Sequence, residues 1–282
     1  MGKELCINLL DINFNSGGKI ISLTKEKEVF IREGQAVGAG AAIKWIGNAW
    51  QIFKANPMQW ILLTLVYIVI MVILNFIPFL NLVCDLFGSV FVAGFIAAAE
   101  KQRTTGNFEI DLLFYGFKDK LGTLVAVGAL YLGIYILGAV AAVLVAGFGI
   151  VELILASQYG EPNPVLLMDS IPSLIWAIFV FCIFSIVALA FIWFAPALII
   201  INDMKFGEAV SMSLNAVKKN LLGGFLFFLL MGILIVTSMI PLLLGLIITI
   251  PMNLITYYTT YRSIFYVSKG NSSEEQKSSL II

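Results

Sequence analysis

Long apolar runs begin near Trp60, Leu82, Leu121, Ser173, Leu221 and Leu243, and all seventeen Lys and Arg residues fall in alternate connections between them. The N-terminal region holds Lys3, Lys19, Lys25, Lys27, Arg32, Lys44 and Lys54; the second connection holds Lys101, Arg103, Lys118 and Lys120. The fourth holds Lys205, Lys218 and Lys219, and the C-terminal segment Arg262, Lys269 and Lys277. The first, third and fifth connections have none. Lys and Arg stay in the cytoplasm during insertion and so set orientation. The pattern predicts six spans with both termini cytoplasmic.

Composition agrees. Apolar residues make up 60% of the chain and charged ones 12%, against about a quarter charged in an ordinary soluble domain. Each span needs about 20 apolar residues. The zero net charge hides a polarity. Asp85, Glu152, Glu161 and Asp169 fall on or near the outer side, so the basic surplus lies inside, where it suits anionic lipid head groups and is too diffuse for nucleic acid. Asp11, Asn13, Asn15, Gly17 and Gly18 interrupt the N-terminal segment where a signal peptide needs a continuous apolar core, so the first span is read as the insertion signal.

Residues 1–36 read as a polar cytoplasmic extension, 37–268 as the transmembrane domain and 269–282 as a disordered tail. Within the extension, Ile20–Leu23 and Val29–Ile31 could pair as a hairpin. A weak internal repeat runs through the apolar part: Phe53-Lys54-Ala55-Asn56, Phe117-Lys118-Asp119-Lys120 and Val217-Lys218-Lys219-Asn220 each close a short amphipathic stretch and lead into a span. Ile43, Ile46, Trp50 and Phe53 share one helical face, as do Phe206, Val210, Leu214 and Val217; Ile110, Leu113, Phe114 and Phe117 form the middle set. Such stretches with basic ends suit the membrane interface. Ile77-Pro78-Phe79-Leu80 and Ile240-Pro241-Leu242-Leu243 follow Asn56 and Asn220 by one membrane crossing and read as outer turns. The middle outer connection, Gly147 to Pro172, reads as a long acidic loop broken by Pro162, Pro164 and Pro172. The expected fold is all-α: a polytopic membrane protein of six transmembrane helices and three interfacial helices in a weak threefold repeat. Small residues at Ser89, Ala93 and Ala97, and at Gly138, Ala142 and Ala146, mark close helix approaches.

Chemistry-bearing residues are few. Asp85 is the candidate intramembrane acid, although its place near the outer turn also suits an interfacial carboxylate. Asn75, Asn253 and Thr256 could line a polar seam. Arg262, among Tyr257, Tyr258, Tyr261 and Tyr266, reads as an interface anchor or a phosphate seat. Pro196 and Pro251 mark kinks or broken helices. The tryptophans Trp45, Trp50, Trp60, Trp176 and Trp193 read mostly as an interfacial belt. Cys6, Cys84 and Cys182 have no metal or redox spacing and read as tail, interface and core residues; the chain has no histidine. No phosphate loop, metal motif or activated nucleophile is present, so neither an enzyme nor a cofactor is expected.

The run from Gly40 through Ile43-Lys44-Trp45 and Phe53-Lys54-Ala55-Asn56-Pro57 to Trp60 resembles the opening of a family of uncharacterised bacterial inner-membrane proteins. Ile77-Pro78, Tyr115-Gly116-Phe117-Lys118 and Phe194-Ala195-Pro196-Ala197 are similar too. The resemblance covers roughly residues 36–266 and implies the fold and an inner-membrane location; it transfers no catalytic or ligand residue. The expected function is therefore non-enzymatic. A lipid or small-solute transporter with a site between repeats is one alternative, and an assembly or scaffold factor acting as a homo-oligomer or with a protein partner is the other.

Overall fold

Three times along the chain a short helix stops at a polar residue and a long apolar helix starts almost at once. The computed structural model describes residues 28–76, 80–159, 164–240 and 243–268; the side chains of 80–85, 148, 150, 152, 153, 155–159, 164–167, 169, 170 and 268 are outside it. The order is β1 (Glu28–Phe30), α1 (Ala41–Ala55), α2 (Pro57–Asn75), α3 (Leu80–Thr105), a 3-10 turn (Ile110–Phe114), α4 (Tyr115–Lys118) and α5 (Leu121–Tyr159). There follow α6 (Pro164–Ile192), α7 (Ala195–Asn202), α8 (Phe206–Lys219), α9 (Leu221–Met239), α10 (Leu246–Phe265) and β2 (Tyr266–Ser268). Asn56 (φ −146°, ψ 62°) and Asn220 (φ −125°, ψ 27°) leave helical geometry in the same way, their N–H groups bonding back to the carbonyls of Phe53 and Val217. Pro57 then opens α2, a position where its missing N–H has no partner to lose.

Among the described residues, four helical segments are long and apolar enough to cross a membrane: Pro57–Asn75, Leu121–Gly147, Ile171–Asn202 and Leu221–Met239, with mean hydropathies of 2.3, 2.4, 2.9 and 2.4. No more than 17% of any of these windows is buried inside the protein. Their outward faces carry Leu65, Ile73, Leu144, Phe179 and Phe225, all exposed, a surface that water would not tolerate and lipid would. The chain has the surface of an integral membrane protein.

The two other expected spans correspond to α3 and α10, and these are the interior helices. In α3, Val90, Phe91, Ala93, Phe95, Ile96, Ala98 and Ala99 are buried; in α10, Met252, Ile255, Tyr258, Tyr261, Ile264 and Phe265 are. Protein contacts cover these residues, although Ile247 and Ile248 at the start of α10 are exposed, and α10 accommodates buried polar groups that bond internally. Thr260 donates to the Thr256 carbonyl at 2.6 Å, and Thr259 to the Trp45 carbonyl at 3.0 Å. Close approach of α3 rests on glycine. A Cβ on Gly94 would lie 2.3 Å from the Leu113 carbonyl oxygen, and one on Gly128 2.0 Å from that of Leu86.

Several expectations are corrected. On α1 the buried face is Ala41, Ala42, Trp45, Ala49 and Phe53, packed on α9 and α10, while Ile43 and Trp50 are exposed. The helix therefore has two adjoining apolar faces; the small residues allow the close protein contact, and the bulky ones point away from it. The middle amphipathic set folds as a 3-10 turn and a four-residue helix, with Leu113 buried and Ile110 and Phe114 exposed. The long acidic loop is replaced by helix: α5 continues to Tyr159, and α6 starts at Pro164 and runs through Pro172. Of the tryptophans only Trp50 and Trp176 are exposed; Trp45, Trp60 and Trp193 are core residues. Cys182, expected in the core, is exposed on α6. The outer-turn prolines Pro78 and Pro241, Cys6, Ile20–Leu23 and the tail 269–282 lie outside the described residues. The expected hairpin of Ile20–Leu23 with Val29–Ile31 therefore has one strand outside the described residues; among the described residues Glu28–Phe30 pairs with Tyr266–Ser268.

By contacts the chain divides into Phe30–Val267 and a second unit, 1–29 with 268–282, of which only Glu28, Val29 and Ser268 are described, in strand conformation. Thus 30–36, expected to belong to the extension, fold with the helices. Ile31 and Gln35 donate backbone N–H groups to Phe265 and Ile264. Asn220 accepts from the Val37 N–H at 2.8 Å and donates to the Gln35 carbonyl at 2.9 Å. Within Phe30–Val267, Arg32 pairs with Glu208, Lys101 with Glu109, Lys118 with Asp111, Lys120 with Asp203 and Lys219 with Glu33.

Candidate functional site

Pro196 has no N–H to offer Ile192, and the helix carrying it breaks at Trp193–Phe194 between α6 and α7. The break opens the backbone ladder at Ala190 and Phe194, normally bonded to each other. The fully buried hydroxyl of Ser213 on α8 fills the gap: it accepts from the Phe194 N–H at 3.1 Å and donates to the Ala190 carbonyl at 3.0 Å. This side chain inserted into the ladder fixes the bend. Sequence reading offered Pro196 as a kink but gave no reason to single out Ser213.

Beside the break lies a cleft of about 500 Å³, within the range of small-molecule sites. Its walls come from α1, α6, α8, α9 and α10. Trp45, Phe194 and Phe227 are buried at its floor, while Ile186, Leu221 and Phe225 stand exposed at its rim. Trp193 stacks on Tyr257 at 4.2 Å and meets Phe228 edge-on at 5.1 Å; its indole N–H donates to Thr260 Oγ1 at 3.2 Å. Gly224 keeps the cleft open, because a Cβ there would meet nothing within 4 Å. Trp45 Nε1 is buried with no hydrogen-bond partner among the described residues, an uncommon state for an interior donor.

The sequence candidates do not converge on this cleft. Asn75 is exposed in a shallow outward groove of α2 with Tyr67, Met71 and Phe76, and its amide donates to the Met71 carbonyl at 2.8 Å. Asn253 is half-buried on α10, where its carbonyl accepts from Thr256 at 2.5 Å. Arg262 lies over the Tyr266 ring, 3.7 Å from its centroid. The Asp85 side chain lies outside the described residues. Of the aromatic cluster around Arg262, Tyr258 and Tyr261 are core rather than interface residues.

A second polar group ties α3 to α10. Tyr258 donates to Glu100 at 2.5 Å and accepts from Arg103 Nε at 2.6 Å, and Arg103 also bonds Glu100 at 2.9 Å. One turn further along α10, Tyr261 forms a separate group with Asn202 and Tyr266. These groups satisfy one another, as buried polar groups must. Outside the spans, the hydrogen bond that Lys120 donates to Asp203 holds its ammonium above its usual range, and partial burial raises Tyr115, aided by Asp119. Among the described residues no group of three or more His, Cys, Asp or Glu is placed to hold a metal ion.

Comparison with protein-family models, curated proteins and solved structures finds no match. The site is therefore read from its own chemistry: aromatic and aliphatic walls, a side opening toward the apolar flank, and no charged group inside.

Proposed function

We propose that the chain is a non-enzymatic bacterial inner-membrane protein that handles lipid, taking one acyl chain into the cleft beside the α6–α7 break. In this reading α2, α3, α5, α6 with α7, α9 and α10 are six spans with both termini in the cytoplasm. α1, the Ile110–Lys118 segment and α8 lie in the cytoplasmic interface, each opening one unit of a threefold repeat. The resemblance of Lys54-Ala55-Asn56-Pro57 and its flanks to the uncharacterised inner-membrane family supports the location. On α1 the exposed Ile43 and Trp50 lie between the buried face and the exposed Lys44, Gln51 and Lys54, so one helix has sides suited to protein, lipid and water.

The observation that carries the lipid reading is the character of the cleft. An ion or polar solute needs coordinating groups, and Thr260 and Asn220, the polar side chains in the wall, are already bonded within the protein. At roughly 30 Å³ per methylene, close to the share of one liquid water, the volume suits a single chain of about 16 carbons. Gly224→Phe tests this by filling the cleft without a backbone clash. Native mass spectrometry of the full chain from lipid nanodiscs is expected to show a retained phospholipid on wild type. The same measurement on Gly224→Phe should show at least a tenfold loss of that mass. Undiminished retention in folded Gly224→Phe would place the lipid elsewhere.

One observation favours the assembly reading. α5 has 39 residues, about 58 Å of helix against a hydrocarbon core of about 30 Å. Val151, Ile154, Met168 and Ile171 are exposed on the extended α5–α6 hairpin. A protein retained at fixed stoichiometry in the same spectra would favour that role.

A further inference from the structure

Apart from Arg262, which lies over the Tyr266 ring, the basic side chains among the described residues divide into two groups. Arg32, Lys101, Arg103, Lys118, Lys120 and Lys219 each have a carboxylate partner. Lys44, Lys54, Lys205 and Lys218 are exposed and have no partner among the described residues. All four belong to α1 and α8, Lys205 as the N-cap of α8. These are the two short amphipathic helices that also wall the cleft, through Trp45 and Val217. Lys44 and Lys218 are the immediate chain neighbours of those two wall residues; Lys54 and Lys205 neighbour none.

This arrangement matters because apolar walls do not by themselves select a lipid. An acyl chain leaving the bilayer for the cleft exchanges one apolar surrounding for another, so the hydrophobic effect supplies almost no preference. Selectivity has to come from the head group. We infer that the cleft's occupant is an anionic glycerophospholipid, with one acyl chain against Trp193 and Phe225 and its phosphate held by Lys44 and Lys218. The inference rests on the lipid-cleft reading above and adds the head group to it. The ester oxygens of such a lipid also supply acceptors of the kind that Trp45 Nε1 lacks among the described residues. Three acids are engaged elsewhere, Glu208 with Arg32, Glu33 with Lys219 and Asp203 with Lys120. Among the described residues no acid pairs with Lys44 or Lys218.

The test uses the full chain in nanodiscs of mixed phosphatidylglycerol and phosphatidylcholine, with the head group of the retained lipid read by native mass spectrometry. Each surface lysine is worth about fivefold in attraction to anionic lipid, so the pair predicts about a 30-fold enrichment of phosphatidylglycerol over its bulk share. The Lys44→Gln, Lys218→Gln double variant should fall to the bulk ratio while still retaining a lipid. The Lys54→Gln, Lys205→Gln double variant carries the same loss of charge away from the cleft and should keep the enrichment. Lipid retained without head-group preference would overturn the anionic assignment and leave the cleft reading standing. An equal loss of preference in both double variants would overturn it as well, assigning the attraction to diffuse surface charge. Lipid absent from wild type would remove the cleft reading itself.

Discussion

Trp60→Ala is expected to destabilise the folded protein by about 3–5 kcal/mol, the range for truncating a buried aromatic. Trp60 is fully buried and meets Phe108 edge-on at 5.0 Å. Its Nε1 donates to Gln102 Oε1 at 2.8 Å, and Gln102 in turn donates to the Ile52 carbonyl at 2.9 Å. One indole thus locks α1, α2 and α3 at the polar end. Truncation leaves a cavity and also strips Gln102 of its donor, which adds about 1 kcal/mol or more. Unfolding in mixed micelles measures the loss. Trp60→Phe should recover most of the packing but not the hydrogen bond. A loss below about 1 kcal/mol for Trp60→Ala would mean that this junction does not hold the helices together.

Gly128→Leu is expected to abolish the folded state. The Cβ would stand 2.0 Å from the Leu86 carbonyl oxygen and 2.8 Å from its carbon, and these are backbone atoms with no rotamer to escape into. The α3–α5 crossing would have to open, breaking the 2.6 Å bond from Ser89 to the Leu124 carbonyl. Even Gly128→Ala should lose about 3 kcal/mol, at the upper end of overpacking penalties. Gly133 is the control on the same helix, since a Cβ there meets nothing within 4 Å. Gly133→Ala should be neutral or gain up to about 1 kcal/mol of helix propensity. Size-exclusion profiles and thermal stability of the three variants decide it; equal behaviour would contradict the crossing.

Local boundaries were legible because their chemistry is local. Asn56, Lys118 and Asn220 follow amphipathic stretches and precede apolar runs, and helices end and begin at or within a few residues of them. The inward and outward faces were not legible, and the reason is physical. In a membrane chain both protein-facing and lipid-facing surfaces are apolar, so periodicity marks an apolar face without saying what covers it. On α1 the pattern selected Ile43, Ile46, Trp50 and Phe53, whereas the helix buries Phe53 with Ala41, Ala42, Trp45 and Ala49. The same ambiguity made Trp60 and Trp193 look like belt residues, although each hydrogen-bonds inside the protein. The helical course of 148–159 was hidden by prolines: Pro164 opens α6 and Pro172 is carried within it, so neither makes a loop. The cleft depends on contacts between residues far apart in sequence, such as Trp45, Trp193 and Phe228. Ser213 joins it through bonds across 23 and 19 residues, to Ala190 and Phe194.

On the proposed reading a lipid chain occupies the cleft beside Trp193. The most direct measurement is quenching of Trp193 fluorescence by phospholipid brominated near the middle of the chain, with the Trp193 contribution taken as the difference from Trp193→Phe. Strong quenching of Trp193 is expected in wild type and its loss when Gly224→Phe fills the cleft, with Trp60 protected in both. Equal quenching of Trp193 in wild type and Gly224→Phe, or none in wild type, would contradict it.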